Sequence, residues 1–165
     1  MDLKKYIREI PDFPKKGILF RDVGPLLKSP EALKYVAKNL VGGLQLSDID
    51  YIAGIESRGF LFAMLLAAHF GKGFLPIRKA GKLPPPTVAV SYELEYGKAS
   101  LELSPGEGRL LIVDDVLATG GTLQAAIDVS YFAGYQVQDV AVLINLSGLN
   151  QMRFKELPVR SLIQY

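Results

Sequence analysis

Residues 110–122 read Leu-Leu-Ile-Val-Asp-Asp-Val-Leu-Ala-Thr-Gly-Gly-Thr. The apolar run Leu110 to Val113, bounded by two acids and then a glycine pair, predicts a short central strand. After the spacer Val116-Leu117-Ala118, the turn Thr119-Gly120-Gly121-Thr122 opens a helix, with Leu123, Ala126, Ile127, Ser130, Tyr131 and Gly134 on one face. This unit sets two carboxylates and a phosphate-binding turn side by side at the carboxyl end of a buried strand. A sugar phosphate needs both.

The same alternation runs through most of the chain. Asp2 to Ile10 predicts a short helix stopped before Pro11, and residues 11–25 predict irregular chain. Ser29-Pro30-Glu31 is a helix start, with a capping serine, proline at the first position and an acid behind it. Leu33, Val36, Ala37, Leu40 and Val41 continue that helix to Gly42-Gly43. Tyr51 to Ile55 predicts a buried strand, turned by Ser57-Arg58-Gly59 into a helix over 60–70 whose Phe60, Leu61, Phe62, Met64 and Leu65 read as core. Gly73 to Ile77 predicts the next strand, 81–87 a proline-rich loop, and 88–95 with 99–103 a hairpin. Val137 to Leu146 and Ser161 to Ile163 complete the strands. The fold class expected is α/β, a mainly parallel twisted sheet with helices on both faces, as one domain over residues 1–165. Ligands in such folds bind at the carboxyl ends of the strands, where the segments after Ile55 and Val113 both lie.

A net charge of +2 gives no general pull toward nucleic acid or an anionic membrane, so neither is expected as a partner. With no cysteine, there is no disulfide, thiolate nucleophile or cysteine metal site, and a cytosolic setting is expected. The longest apolar stretch, Gly59 to Ala68, is about half of the ~20 residues that span a bilayer. His69, the only histidine, has no evident partner and reads as a helix-end surface residue.

Glycines in the 119–122 turn let the backbone point its N–H groups at a phosphate, and the helix that starts there favours an anion. Asp114 and Asp115 would repel that phosphate unless they face something else. Ribose hydroxyls are suitable partners, and a magnesium ion shared with phosphates is another. The plain alternative is an Asp-capped turn with no ligand. Neither the lysine-bearing loop of nucleoside triphosphatases nor a Gly-x-Gly-x-x-Gly turn is present.

Apolar strand, Asp-Asp, then Thr-Gly-Gly-Thr resembles the phosphoribosyl pyrophosphate (PRPP) signature of type I phosphoribosyltransferases. Pro11-Asp12-Phe13-Pro14, Gly17 to Asp22, Gly54 to Phe60, Ile77 to Pro84 and Ser91 to Lys98 narrow this to a resemblance with the adenine phosphoribosyltransferase family, running from about Pro11 to Leu143. The resemblance implies transfer of the phosphoribosyl group from PRPP to adenine, giving AMP and pyrophosphate, with Mg2+ held mainly by PRPP and no protein metal site. It implies a small hood over about 11–25 and a flexible loop over about 81–103. Leu19, Phe20 and Arg21, with Val116, would hold adenine. Glu56, Ser57 and Arg58 would bind pyrophosphate, joined by Arg78, Lys79 and Lys82. Asp114, Asp115, Ala118, Thr119, Gly120, Gly121 and Thr122 would hold the ribose and 5'-phosphate. Glu95, beside Tyr96 at the loop tip, would act as general acid–base, with Asp114 and Asp115 counted as catalytic. A cis peptide between Glu56 and Ser57 and a homodimer are also implied.

Taken singly, Arg21-Asp22 also reads as a surface ion pair, the three cations as solvated charge, and 95–97 as a plain hairpin turn. The chain departs from the resemblance near Asn145, where a glutamate is usual, and at Gln151-Met152-Arg153, where Lys-Gly-Arg is usual. A non-catalytic purine or PRPP sensor with the same fold is the alternative from another class, and orotate is an alternative substrate.

Overall fold

A computed structural model describes residues 1–94 and 97–165, the side chain of Leu94 excepted. Seven strands form the main sheet: β3 (Tyr51–Ile55), β4 (Gly73–Lys79), β5 (Val88–Leu94), β6 (Gly97–Leu103), β7 (Arg109–Leu117), β8 (Gln136–Asn145) and β11 (Arg160–Gln164). Their order is β11-β8-β7-β3-β4-β6-β5. The first five are parallel, and the β5–β6 hairpin extends that sheet antiparallel to β4.

Two ribbons flank it, β1 (Arg8–Pro11) with β2 (Leu19–Asp22), and β9 (Arg153–Phe154) with β10 (Leu157–Pro158). The helices are α1 (Gly24–Leu27), α2 (Pro30–Asn39), α3 (Gly59–Phe70) and α4 (Gly121–Phe132). The side-chain alternation along β7 divides the core. Leu111 and Val113 pack with Leu26, Val36 and Phe62 of α1–α3, whereas Leu110 and Ile112 pack with Leu123, Ala126 and Val129 of α4. The expected mainly parallel sheet with helices on both faces is therefore present. Ser29 caps α2 by accepting from Ala32 N at 3.2 Å, as its sequence predicts.

Several local expectations are corrected. Residues 2–10 are not a helix: a 3-10 turn at Leu3–Tyr6 leads into β1. Residues 11–25 are correspondingly more regular than expected. The cause is non-local. Arg8 opposes Asp22 and Glu9 opposes Arg21 across the ribbon, and both pairs form ion pairs.

Strand β7 does not stop at Val113. It runs to Leu117 because β8 continues to pair with it as far as Asn145, while pairing with β3 ends at Gly54–Val113. In α3, Leu61 and Met64 are not core but 47% and 52% exposed, and in α4 Tyr131 is likewise exposed. These helices are apolar around most of their circumference, so periodicity does not single out the face that meets the sheet.

Candidate active site

Beyond Val113 the two acids overhang the end of β3 and face the turn that follows it. In that turn the Glu56–Ser57 peptide is cis, as the resemblance implies. Gly59 starts α3 directly against β7: a Cβ on it would lie 2.7 Å from Asp114 Oδ1 and 2.9 Å from the Val113 carbonyl oxygen. Only glycine permits this approach. Asp114 Oδ1 accepts from Asp115 N at 2.9 Å.

Arg58 Nε lies 2.6 Å from Asp115 Oδ2. Among the described residues, this buried oxygen has no hydrogen-bond partner. Burial, with the neighbouring Asp115 charge, pushes the Asp114 carboxyl well above the ordinary range. Burial also raises Asp115, opposed by Arg58.

Arg58 reaches the N-terminal ribbon as well. Its guanidinium sits 4.8 Å over the Phe20 ring, and Nη1 donates to the Arg21 carbonyl at 3.4 Å. Arg21 is ion-paired to Glu9 and lies 3.7 Å over the Tyr165 ring. The arrangement brings an aromatic wall, a cation and two acids together.

The 118–122 turn follows on the same strand. Gly120 has φ +95°, a left-handed conformation, and α4 begins at Gly121 with no side-chain cap. Among the described residues, no side chain caps its first N–H groups. Thr122 Oγ1 and Tyr92 Oη are 3.4 Å apart, which brings β5 over the turn.

The basic segment is held from the other side. Glu56 accepts from Arg78 Nε at 3.3 Å, Arg78 Nη2 at 3.2 Å and Lys79 N at 2.9 Å. These bonds, those from Arg78 first, hold the Glu56 carboxyl below its ordinary pKa against the opposing effect of burial. Arg78 Nη1 also donates to the Lys82 carbonyl at 3.2 Å. A concavity of about 820 Å³ lies elsewhere, at the amino ends of β3, β7 and β8. Its Arg109 and Asp50 pair with each other at 2.9 Å, and it holds none of these groups.

Sequence comparison assigns this geometry to a family. The family model described as a phosphoribosyl transferase domain matches residues 23–153. The adenine phosphoribosyltransferase of Bdellovibrio bacteriovorus is 62% identical over 165 residues, covering 100% of both chains. The chain belongs to the adenine phosphoribosyltransferase family. The Synechocystis member is 48% identical over 172 residues, again with 100% of each chain covered. The solved structure from Rhodothermus marinus superposes with a TM-score of 0.89 at 45% identity, covering 99% of this chain and 96% of that one. The Saccharomyces cerevisiae structure, complexed with an imino-altritol bisphosphate and adenine, gives 0.83 at 34%, covering 98% and 96%. These relatives are named as enzymes, which leaves the sensor alternative without support.

Within this phosphoribosyltransferase, direct contacts join Phe20, Arg21, Arg58 and Asp115, and tie Asp114 to Gly59. Glu56, Arg78 and Lys79 form an adjoining group, whereas Leu19 and the side chains of Lys79 and Lys82 are exposed. Val116 is partly buried on β7, packed against the core on the α1–α3 side. Glu95 and Tyr96 lie outside the described residues. Sequence reasoning missed Glu102, which is buried and accepts from Lys82 N at 2.7 Å and Leu83 N at 2.6 Å. It also missed Tyr92, Tyr165 and Asn150. No local pattern distinguishes these residues, because each acts on a distant segment.

Proposed function

We propose that the chain converts adenine and PRPP to AMP and pyrophosphate through the residues described above. The supporting observation is the position of Arg58, which joins the Phe20 wall to the buried acid pair and adjoins the Glu56–Arg78 group. A purine, a ribose and a pyrophosphate would then occupy neighbouring positions in the order the reaction requires.

Adenine is flat and neutral, so an aromatic wall and backbone groups suit it. In this reading Leu19, Phe20, Arg21 and Val116 hold the base. The hydrogen-bond-free Asp115 Oδ2 and its neighbour Asp114 accept from ribose hydroxyls. Residues 118–122 receive the 5'-phosphate on the free N–H groups of α4. As pyrophosphate leaves the anomeric carbon, the ring becomes cationic and the acids favour it, while Arg58, Arg78, Lys79 and Lys82 balance the departing charge. Glu95 handles the proton on the purine imidazole ring.

Magnesium commonly binds through substrate phosphates and one or two carboxylates, and Asp114 and Asp115 are the acids placed to assist. It would supply added charge neutralisation on the pyrophosphate. Cytosolic residence and a homodimer in which Arg78 reaches toward the partner's site are parts of the same proposal. The exposed Leu61 and Met64 of α3 support the dimer.

The deciding experiment incubates the protein with PRPP, magnesium and each of adenine, hypoxanthine, guanine and orotate, and identifies the nucleotide formed. AMP should dominate. A 6-oxo group presents an acceptor where the 6-amino group donates, leaving polar groups unpaired. Comparable turnover of hypoxanthine, or orotidylate as the main product, would overturn the assignment.

A further inference from the structure

The segment after β8 is laced to the segment after β7. Leu146 N donates to the Leu117 carbonyl at 2.9 Å, continuing the sheet ladder by one step. The chain then turns, and the Asn150 side chain comes back under the 118–122 turn. Its Nδ2 donates to the Ala118 carbonyl at 2.8 Å, the Leu146 carbonyl at 3.0 Å and Asn145 Oδ1 at 3.1 Å. Its Oδ1 accepts from Met152 N at 3.1 Å. The network fixes the amide orientation, since a flipped amide would set an oxygen against three acceptors.

Met152 completes the backing. A Cβ on Gly120 would lie 3.2 Å from Met152 Sδ, so the thioether fills the space beside the glycine whose left-handed conformation shapes the turn. Asn145 and Met152 are positions where the sequence departs from the family resemblance, and Asn150 lies between them. A neutral amide pair and a thioether occupy this region.

We propose that Asn150 is a positioning residue for PRPP. By holding the Ala118 carbonyl and seating Met152 against Gly120, it keeps the peptide units of 119–122 in the shape that receives the 5'-phosphate. The proposal rests on reading 118–122 as the 5'-phosphate turn. Gly120 has no side chain with which to cap α4, so the geometry of these peptide units draws on what stands behind them. Asn150 touches neither adenine nor the reacting carbon, and its effect is confined to PRPP.

The test is steady-state kinetics with magnesium, PRPP and adenine, with thermal melts of each variant alongside. Asn150→Ala should raise KM for PRPP about tenfold, the loss expected when buried polar groups lose a hydrogen-bond partner. KM for adenine and kcat should stay within about twofold, because the change is confined to ground-state binding of one substrate. Asn150→Asp keeps the shape but sets a carboxylate oxygen against three acceptors, and should raise the PRPP constant further still. A residue that only stiffens the fold would lower the melting temperature and leave both Michaelis constants unchanged, and that result overturns the proposal.

If Asn150→Ala does not fold, Met152→Ala keeps every Asn150 hydrogen bond and removes only the thioether packed beside Gly120. It should raise the PRPP constant about twofold to fivefold, a fraction of the loss for a hydrogen-bonded partner, and an unchanged constant overturns the proposal equally. The double variant Thr119→Ala with Thr122→Ala separates the two readings. If it weakens PRPP use and Asn150→Ala does not, the positioning role alone fails. If neither does, the phosphate turn is misassigned and the positioning role falls with it.

Discussion

Arg58 Nε lies 2.6 Å from Asp115 Oδ2, so the cation assigned to the pyrophosphate rests against an acid assigned to the ribose. Burial raises the Asp115 pKa and Arg58 opposes that rise. Arg58→Gln removes the opposition, so the folded-state pKa climbs further above the unfolded value. For an acid shifted upward, stability is full below the unfolded pKa and lost as pH rises through the folded one. The melting-temperature gap between parent and variant should therefore be small near pH ~4, the ordinary aspartate range, and widen toward neutral pH. Thermal melts over that range check this, and a pH-independent gap would show that Arg58 acts only by packing on Phe20.

Asp114 carries the larger upward shift, with burial as the main cause and the Asp115 charge next. Its ionised form is a cost to the folded state above the unfolded pKa. Asp114→Asn keeps an oxygen for the Asp115 N–H and removes that cost. The variant should melt a few degrees higher at neutral pH, about 2–4 °C for each kcal/mol gained in a chain of this size. The gain should vanish at acid pH, where the parent carboxyl is protonated as well. PRPP turnover should fall sharply at the same time, an exchange of activity for stability seen where function needs buried charge. A variant both less stable at neutral pH and fully active would contradict the assignment.

Glu102 links the proline-rich segment to the basic group. Its carboxylate accepts from Lys82 N and Leu83 N, and the Lys82 carbonyl accepts from Arg78. The Leu83 N–H, first among the causes, holds its pKa below the ordinary range. For an acid shifted downward, the stabilising contribution is present above the unfolded pKa and lost as pH falls through the folded one. Glu102→Gln should loosen residues 81–83 at neutral pH. Trypsin should then cut after Lys82 faster than in the parent, and KM for PRPP should rise because Arg78 loses its carbonyl partner. Equal cleavage rates would mean that the backbone holds itself.

Parts of this site were legible in the sequence for a physical reason. Asp114, Asp115 and the 119–122 turn lie within one short stretch, and an apolar run ending in acids and paired glycines predicts a strand that turns into a helix. The strand-to-helix turn at Ser57-Arg58-Gly59 was legible in the same way, whereas the pyrophosphate role proposed for Glu56, Ser57 and Arg58 came from the family resemblance. The β1–β2 ribbon was not legible, because its register comes from Arg8 with Asp22 and Glu9 with Arg21, pairs 14 and 12 residues apart. Glu102 follows the polar phase of an alternating strand and reads as solvent-facing, yet it is buried because a distant turn folds back over it. Asn150 acts on Ala118 from 32 positions away, and no local pattern marks such a contact.

Leu61 and Met64 form an exposed apolar surface on α3 where the sequence predicts core. In the proposed homodimer this surface is covered by the second copy, in an interface that should exceed ~1,000 Å². Leu61→Glu with Met64→Glu places two charges there and should convert a sedimenting dimer to monomer, with activity falling as Arg78 loses the partner. A parent protein that sediments as an active monomer at assay concentration would remove the dimer from the proposal.

Gly59→Ala sets local preference against packing. Gly59 is the first residue of α3, and in a helix interior alanine is favoured over glycine by about 1 kcal/mol. On propensity alone the variant should be no less stable. The added Cβ, however, would lie 2.7 Å from Asp114 Oδ1, 2.9 Å from the Val113 carbonyl oxygen and 3.2 Å from Asp114 Cα. The last two are backbone atoms of β7, fixed by pairing of Val113 with Ala141 and Asp114 with Val142. They cannot give way without breaking the sheet, so the start of α3 must lift or the Asp114 carboxylate must turn. Overpacking of this kind costs about 1–3 kcal/mol, which equals or exceeds the propensity gain. Lifting α3 also carries Arg58 off Asp115, and turning Asp114 takes it from the proposed ribose position. A displacement near 1 Å can cost about 10²-fold in rate. Turnover should therefore fall by roughly that factor while the melting temperature drops only a few degrees. Retention of parental turnover would show that α3 can retreat from β7 without disturbing the acids, and that their close approach is packing alone.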